Sequence, residues 1–162
     1  MFDSIAGDYD ALNHILSLDV DKIWRKKALK QIVDAPAPVQ VLDLACGTGD
    51  FSIAIAKALS SATGSHVTGV DLSEGMLAVM REKVAKAGLT EMISIEEGDG
   101  ENLRFPDNTF DRVTIAFGIR NFENREKGLR EMLRVLKPGG RLVILELSRP
   151  ENKIIRWFYD LY

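Results

Sequence analysis

Residues 39–50, VQVLDLACGTGD, decide the fold, because a short apolar run ends there at two closely spaced glycines. The apolar run predicts a buried strand. Gly47 and Gly49 predict a tight turn, since glycine adopts backbone conformations that other residues avoid. The residues that follow, 50–60, carry apolar side chains at helical spacing. The stretch therefore predicts a strand, a turn and a helix in direct succession.

The same alternation continues along the chain. A second strand at 66–73 leads into a helix at 73–89, where Ser73 is placed to cap the helix and Gly88 to end it. The remaining predicted elements are strands at 92–99, 110–117 and 141–148 and a helix at 124–137 that ends before Pro138-Gly139-Gly140. Five strands alternating with helices predict an α/β fold with a doubly wound, Rossmann-like parallel sheet, whose ligand site lies outside the carboxyl ends of the strands.

Composition indicates an ordinary globular protein. The chain has 162 residues, of which 46% are apolar and 28% charged, and this suits one domain. Its net charge of −3 gives no general attraction to nucleic acid. The single cysteine, Cys46, cannot form an internal disulfide, so we expect a cytoplasmic protein. The longest apolar stretches are too short to cross a bilayer.

The first part of the chain reads as helical, in contrast to the alternating part that follows. Residues 19–33 place apolar side chains at helical spacing, with Asp19 as the N-cap, and a Pro-rich joint follows at 34–39. We therefore predict an N-terminal helical segment, 1–36, that acts as a lid and contacts substrate, and an α/β domain, 37–162. A cluster of basic residues lies within the helix, at Lys22, Arg25, Lys26, Lys27 and Lys30.

The residues around the first loop point to a cofactor. Gly47 and Gly49 let the backbone approach a ligand closely, and Asp71, at the end of the second strand, suits the two hydroxyls of a ribose. A nicotinamide cofactor satisfies these features equally well. Asp43 and Asp50, however, place negative charge where a pyrophosphate would bind, and they suit a cofactor with an ammonium and a sulfonium, namely S-adenosylmethionine. The alternative for Asp50 is that it complements the helix dipole.

The third strand ends in a second stretch of acidic residues and glycine, residues 96–102. Asp99 can accept a hydrogen bond from an adenine amino group, while Gly100 lets the ring approach. The alternative is a solvated acidic turn, since three more acidic residues lie nearby. Aspartate or glycine at the ends of three successive strands favours a ligand site at one edge of the sheet.

Several longer motifs, taken together, resemble one family. They are VLDLACGTGD at 41–50, GVDLSEGML at 69–77, GDGENLRFPDNTFD at 98–111, FGIRN at 117–121, MLRVLKPGGRLVILELS at 132–148 and the N-terminal stretch 1–27. The combination is similar to the ubiquinone/menaquinone biosynthesis C-methyltransferase family, within the class I S-adenosylmethionine-dependent methyltransferases, over essentially the whole chain. The N-terminal stretch together with FGIRN separates this family from other class I methyltransferases.

The resemblance implies methyl transfer from S-adenosylmethionine to a ring carbon of a polyprenylated quinol, either demethylmenaquinol or a ubiquinone precursor. It also implies several cofactor contacts, among which Ala116 stands where other members can carry a serine. The predicted cofactor-binding residues are Asp43, Gly47, Thr48, Gly49, Asp71, Leu72, Asp99, Gly100 and Ala116. The sequence shows no cluster of His, Cys and carboxylates with the spacing of a metal site, so we predict no metal.

The resemblance makes Arg120, in FGIRN, the predicted centre of catalysis, and this motif places a guanidinium where a buried strand is predicted to end. A guanidinium has no acceptor, so it is unsuited to take a proton and well suited to hold the phenolate of an ionised quinol. Asn121 would orient the second ring oxygen, and Tyr9 would contact the substrate. The alternative is that Arg120 pairs with a surface acid such as Glu123.

Members of the family continue past the point where this chain stops, so we expect the α/β domain to lack its last strands. The predicted partners are a quinol with a prenyl tail, a membrane contacted peripherally through the basic helix, and a second copy in a homodimer, without nucleic acid. Two other functions stay open. One is a methyltransferase of another specificity, acting for example on a small phenol, and the other is a cofactor-binding module made inactive by truncation.

Overall fold

The computed structural model describes residues 20–36, 38–59 and 64–146 of the chain. In chain order its elements are helix α1 (Val20–Val33), strand β1 (Gln40–Leu44), helix α2 (Asp50–Leu59), strand β2 (His66–Asp71), helix α3 (Glu74–Lys86), strand β3 (Ile93–Glu97), strand β4 (Phe110–Ala116), a short 3₁₀ helix (Ile119–Asn121), helix α4 (Arg125–Val135) and strand β5 (Leu136–Leu145). The predicted alternation of strands and helices is confirmed.

The strands of the described residues form one parallel sheet in the order β3-β2-β1-β4-β5. The chain therefore builds outward from β1 to β3 on one side and then returns to add β4 and β5 on the other. This reversal makes the junction of β1 and β4 the switch point, where a doubly wound sheet opens a crevice beyond its carboxyl ends. The prediction of an α/β fold with a doubly wound parallel sheet is confirmed.

Alternation along β1 divides the core between the two faces of the sheet, since successive side chains of a strand point to opposite faces. Val41 belongs to the cluster that α1, α2 and α3 cover, whereas Leu42 and Leu44 belong to the cluster that α4 covers. All three side chains are fully buried. The same alternation places Asp43 on the face of Val41, beneath α2.

Helix α1 packs directly on the sheet domain. Ala28 and Ile32 are buried in the same cluster as Val41 and the apolar side of α2. Beyond the end of the helix, the Arg112 guanidinium of β4 donates to the carbonyl oxygen of Asp34 at 2.8 Å. The division into segments 1–36 and 37–162 stays a prediction, and the proposed N-cap, Asp19, lies outside the described residues.

Helix α3 begins and ends where its caps predict. Ser73 occupies the N-cap, and its hydroxyl oxygen accepts from the backbone N–H of Met76 at 3.2 Å. Gly88 follows the C-cap with a φ of 69°, the left-handed conformation that commonly ends a helix. The capping residues read from the sequence therefore fix the length of this helix.

The boundary between α4 and β5 differs from the prediction. The helix ends at Val135 and the strand begins at Leu136, ahead of Pro138-Gly139-Gly140. Lys137 precedes a proline, and the proline ring disfavours helical geometry at that residue. The buried side chain of Leu136 meanwhile pairs with Phe110, and the register shifts before Arg112 pairs with Arg141. Pro138-Gly139-Gly140 therefore lies within β5, where it interrupts the regular pairing with β4.

Gly140 is held closely by backbone atoms, so we expect Gly140→Ala to destabilise the fold by about 2 kcal/mol. A Cβ there would lie 2.8 Å from the carbonyl oxygen of Lys137 and 2.9 Å from that of Asp111. Urea unfolding measures the change. The matched control is Gly88→Ala, where a Cβ meets no atom within 4 Å and only the backbone conformation is strained. A larger loss from the control would contradict this account.

Candidate functional site

The loop after β1 is a tight turn held in left-handed backbone conformations. Ala45, Gly47 and Gly49 have φ angles of 51°, 57° and 89°. The turn is closed by a hydrogen bond from the N–H of Gly49 to the carbonyl oxygen of Cys46 at 3.0 Å. A Cβ on Gly49 would overlap the side chain of Met80, so the loop can lie this close to α3 only with glycine there. The loop therefore lies close to the carboxyl ends of β1 and β2.

The Asp71 carboxylate fastens this loop to the end of β2. One oxygen accepts from the N–H of Gly47 at 2.8 Å, and the other accepts from the N–H of Ser73 at 2.9 Å. Each carboxylate oxygen can accept a second hydrogen bond, so acceptor capacity remains for a ligand hydroxyl. Sequence reasoning assigned Asp71 to a ligand and missed this structural role, which no spacing in the sequence reveals.

Asp43 lies beneath the loop, with only 1% of its surface exposed. The hydroxyl of Ser52 donates to its carboxylate at 2.5 Å. Burial raises the pKa of Asp43 to about 7, and the Ser52 hydrogen bond and the positive charge of Arg25 oppose that rise. Near neutral pH this carboxyl group is therefore partly protonated, and nearby charges decide how far it ionises.

Lys83 neutralises the acidic start of α2. Its ammonium donates to the hydroxyl oxygen of Thr48 at 3.0 Å and to the carboxylate of Asp50 at 3.0 Å. Thr48 is buried beside this ammonium. The charge of Asp50 is balanced by an ammonium 33 residues away in sequence, which sequence reasoning missed. Asp50 therefore contributes little net negative charge to the site.

An apolar side chain and a second aspartate follow the ends of β2 and β3. Leu72 is 68% exposed, which is unusual for a leucine beside a buried strand. The pairing of β2 and β3 continues past the last strand residues through a hydrogen bond from the N–H of Gly98 to the carbonyl oxygen of Asp71 at 3.0 Å. Asp99 accepts from the N–H of Glu101 at 2.8 Å. Leu72 and Asp99 are thus carried on adjacent strand ends.

Phe122 packs between two glycines that lie on different elements. A Cβ on Gly100 would lie 2.6 Å from Cζ of the ring, and a Cβ on Gly128, in α4, would also overlap the ring. The N–H of Asn124 adds a hydrogen bond to the Glu101 carboxylate at 2.7 Å. The turn after β3 is therefore joined to the segment that begins α4.

The end of β4 is strained in the same way as the end of β1. Phe117 directly follows β4 with a φ of 58°, as Ala45 directly follows β1 with a φ of 51°. Left-handed conformations at residues other than glycine cost free energy and tend to occur at functional sites. Ala116, the predicted cofactor contact, pairs with Leu145 of β5, and Gly118 packs against the Cβ of Ala45. The ends of β1 and β4 thus meet at the switch point.

Arg120 stands in the 3₁₀ helix after β4, with 42% of its side chain exposed. Its guanidinium lies 3.6 Å from the carboxylate of Glu146, and its backbone N–H donates to the same carboxylate at 3.4 Å. The alternative prediction that Arg120 pairs with an acidic residue is thus confirmed, although the partner is Glu146, just after β5, and not Glu123. Asn121 is exposed beside Arg120. Tyr9 lies outside the described residues, and the catalytic assignments stay predictions.

In the described ranges, no three His, Cys, Asp or Glu residues lie close enough together to hold a metal ion. Asp43, Asp71 and Asp99 belong to three different strands or strand ends. No helix within the same ranges is long and apolar enough to cross a membrane.

The fold and the loop define the class of protein. A parallel sheet in this order, with a glycine turn after the first strand, is the Rossmann-like α/β fold of class I methyltransferases. A solved S-adenosylmethionine-dependent methyltransferase from Aquifex aeolicus has this fold, with a TM-score of 0.69 and 27% identity, over 87% of this chain and 75% of its own. The chain belongs to the ubiE/COQ5 methyltransferase family, whose family model matches residues 1–162.

Relatives within the family are close in sequence. The demethylmenaquinone methyltransferase of Bacteroides fragilis is 50% identical over all of this chain and 64% of its own length. The ubiquinone/menaquinone biosynthesis C-methyltransferase UbiE of Geobacter sulfurreducens is 49% identical over all of this chain and 62% of its own length. The chain therefore spans a little under two thirds of these relatives.

Asp43 should make the stability of the chain fall as the pH rises. Its pKa is about 7 in the folded chain against a usual 3.8, so between these values the folded state holds a proton that the unfolded state has released. The free energy of unfolding is then highest below this window and decreases through it, by on the order of 4 kcal/mol in full. Asp43→Asn keeps an acceptor for Ser52 and removes the titration.

Urea unfolding at about pH 5 and about pH 8 tests this dependence. We expect the loss of stability between the two conditions to be smaller by a few kcal/mol in Asp43→Asn than in the unchanged chain. Glu96→Gln, at an exposed residue of β3, is the control and should keep the original dependence. Equal pH dependence in all three proteins would contradict the assignment.

Proposed function

We propose that the protein is an S-adenosylmethionine-dependent C-methyltransferase that methylates a ring carbon of a polyprenylated quinol, such as demethylmenaquinol or a ubiquinone precursor. The names of the relatives support this reaction. The observation that carries it is the meeting, at one edge of the sheet, of the glycine loop and its aspartates with the guanidinium of Arg120. One group of residues is suited to a cationic nucleoside cofactor and the other to a substrate oxyanion.

The residues present fit this cofactor. Asp71 keeps acceptor capacity for two ribose hydroxyls, and Leu72 offers an exposed apolar surface to a purine. Asp99 can accept from the exocyclic amino group, and Gly100 is buried against Phe122 without a side chain in the way. A positive charge above the loop would favour the ionised form of Asp43 beneath it. When bound, the cofactor supplies an electrophilic methyl group on a sulfonium.

The remaining predicted cofactor contacts, Gly47, Thr48, Gly49 and Ala116, lie at the same edge of the sheet. Gly47 and Gly49 bring the loop close to the strand ends, and Thr48 lies buried between them, with its hydroxyl oxygen accepting from Lys83. Ala116 closes the site from the side of β4, where its methyl group leaves room for the ligand.

Arg120 supports the chemistry on the substrate. A quinol ring carbon becomes nucleophilic when the neighbouring hydroxyl loses its proton, because charge then spreads to the ortho position. The guanidinium of Arg120, held loosely by Glu146, can stabilise that phenolate, and Asn121 can orient the second ring oxygen. The ring carbon that gains the methyl group afterwards loses its hydrogen as a proton. Tyr9 would contact the substrate from the N-terminal segment, which we propose as the lid.

A substrate with a prenyl tail resides in a membrane, so we also propose peripheral contact through α1 from the cytoplasmic side. Ile23 and Trp24 are 58% and 49% exposed on this helix, beside Lys22, Lys26 and Lys27. Exposed apolar side chains next to lysines favour an anionic bilayer surface. The suggested homodimer stays a prediction.

Substitutions should separate the cofactor role from the substrate role. We expect Asp71→Ala to weaken binding of S-adenosylhomocysteine at least about 10-fold, because it removes a ribose acceptor and releases the loop. We expect Arg120→Met to leave that binding unchanged and to lower methyl transfer to demethylmenaquinol about 100-fold, the usual cost of an oxyanion donor. Calorimetric titration and a methyl-transfer assay measure the two effects.

The control variant is Arg130→Gln, at an exposed arginine of α4 that pairs with Glu126. It should change neither quantity. Equal loss of cofactor binding from Asp71→Ala and Arg120→Met would contradict the division of roles. A titration in which NAD binds and S-adenosylhomocysteine does not would refute the function itself.

Membrane contact has its own test. We expect the protein to sediment with vesicles of mixed anionic and zwitterionic lipid at low salt, and we expect Trp24→Ser to reduce the bound fraction several-fold. Leu133→Ser is the matched control, because Leu133 is 59% exposed on α4, away from the lysines of α1. Retention in the supernatant, or equal loss from both variants, would exclude contact through α1.

A further inference from the structure

The guanidinium of Arg25 occupies an unusual position on α1. The residue is half-buried, and its Nε is fully buried without a hydrogen-bond partner among the described residues. Its Cζ lies 5.7 Å from the ring centroid of Phe117. Ala28, one turn further along the helix, is packed in the core. Arg25 lies on the same side of α1 as Ala28, so it faces the sheet, whereas the lysines of this helix are exposed to solvent.

This guanidinium lies over the switch point of the sheet. Phe117 is the first residue after β4, and β4 pairs with β1. Arg25 also acts electrostatically on Asp43 in β1, where its positive charge opposes the rise of the carboxyl pKa caused by burial. Arg25 further lines a cavity of about 410 Å³ between α1 and the start of α2, together with Lys22, Lys26, Leu29, Asp50, Phe51 and Ala54.

A buried donor without an acceptor costs free energy, so its position requires compensation from a ligand or from packing. Stacking on Phe117 stabilises the flat face of the guanidinium. The N–H groups point outward from its edge, and the one at Nε still lacks an acceptor among the described residues. The edge of a guanidinium matches the two oxygens of a carboxylate in a bidentate arrangement. The missing partner of Arg25 is therefore best supplied by a carboxylate.

The proposed cofactor carries such a group. Its amino-acid end has one carboxylate and one ammonium on the same carbon, and Arg25 lies near enough to Asp43 for its positive charge to favour the ionised form of that carboxyl group. We infer that Arg25 binds the carboxylate of the amino-acid end of S-adenosylmethionine, with Asp43 on the side of the ammonium. This inference rests on the proposed function and extends it to helix α1, which then closes the cofactor site from above the sheet.

The competing explanation is that Arg25 only balances the charge of Asp43 and packs on Phe117. The two explanations differ in what they predict for a ligand without the carboxylate. S-adenosylhomocysteine and its decarboxylated analogue, S-adenosyl-3-thiopropylamine, share the nucleoside, the thioether and the ammonium. A residue that binds the carboxylate distinguishes the two compounds, whereas a residue that acts only through Asp43 affects both equally.

Calorimetric titration of both compounds tests the inference. The unchanged protein should bind S-adenosylhomocysteine about 10- to 100-fold more tightly than the analogue, in the range of a charged hydrogen-bonded pair. Arg25→Gln should remove that preference by weakening S-adenosylhomocysteine alone. Arg25→Lys should restore part of it, since an ammonium keeps the charge and loses the bidentate geometry. The control is Arg130→Gln, at an exposed arginine of α4 that pairs with Glu126 and should have no effect.

Each other outcome has a definite meaning. Equal weakening of both compounds by Arg25→Gln would overturn the inference in favour of a counter-ion for Asp43. Equal affinity of the unchanged protein for both compounds would also overturn it, without need of any variant that might misfold. Binding of neither compound by the unchanged protein would instead refute the proposed function, and this result is distinct from the other two.

Discussion

The carboxylate of Asp71 holds the glycine loop against the end of β2, and the rest of the site depends on that attachment. Its two hydrogen bonds, to the N–H groups of Gly47 and Ser73, join the turn after β1 to the start of α3. The left-handed conformation at Ala45 costs free energy, because this residue is not a glycine, and such a conformation depends on constraints from the surrounding structure. Without this clamp the crevice at the switch point would lose the surface that faces a ligand.

The sheet arranges the two proposed roles side by side. The ends of β1, β2 and β3 carry the loop, Asp71, Leu72 and Asp99, which together suit a nucleoside with a positive charge. The end of β4 leads to Arg120, whose guanidinium suits an oxyanion, and the end of β5 leads to its partner Glu146. The reversal of strand order brings the two groups of residues together at the junction of β1 and β4. The topology thus places the proposed site of the methyl donor next to the proposed site of the methyl acceptor.

The fold could be predicted from the sequence because its signals are local. Gly47, Gly49 and Ser73 specify a turn and a cap by residue type, and periodicity separates strands from helices. The pairings of Lys83 with Asp50 and of Arg120 with Glu146 join residues far apart in sequence, and nothing in the spacing identifies the partners. Arg25 appeared only as one cation in a basic helix, because its different surroundings become visible only when α1 lies on the sheet.

The ring of Phe122, fitted between Gly100 and Gly128, limits how this part of the protein can change during evolution. A side chain at either glycine would push the ring toward the other, so neither position can gain an atom alone. A smaller residue at 122 would leave a void that both glycines border. Residues 100, 122 and 128 are therefore expected to change together, because a substitution at one of them requires compensating substitutions at the other two.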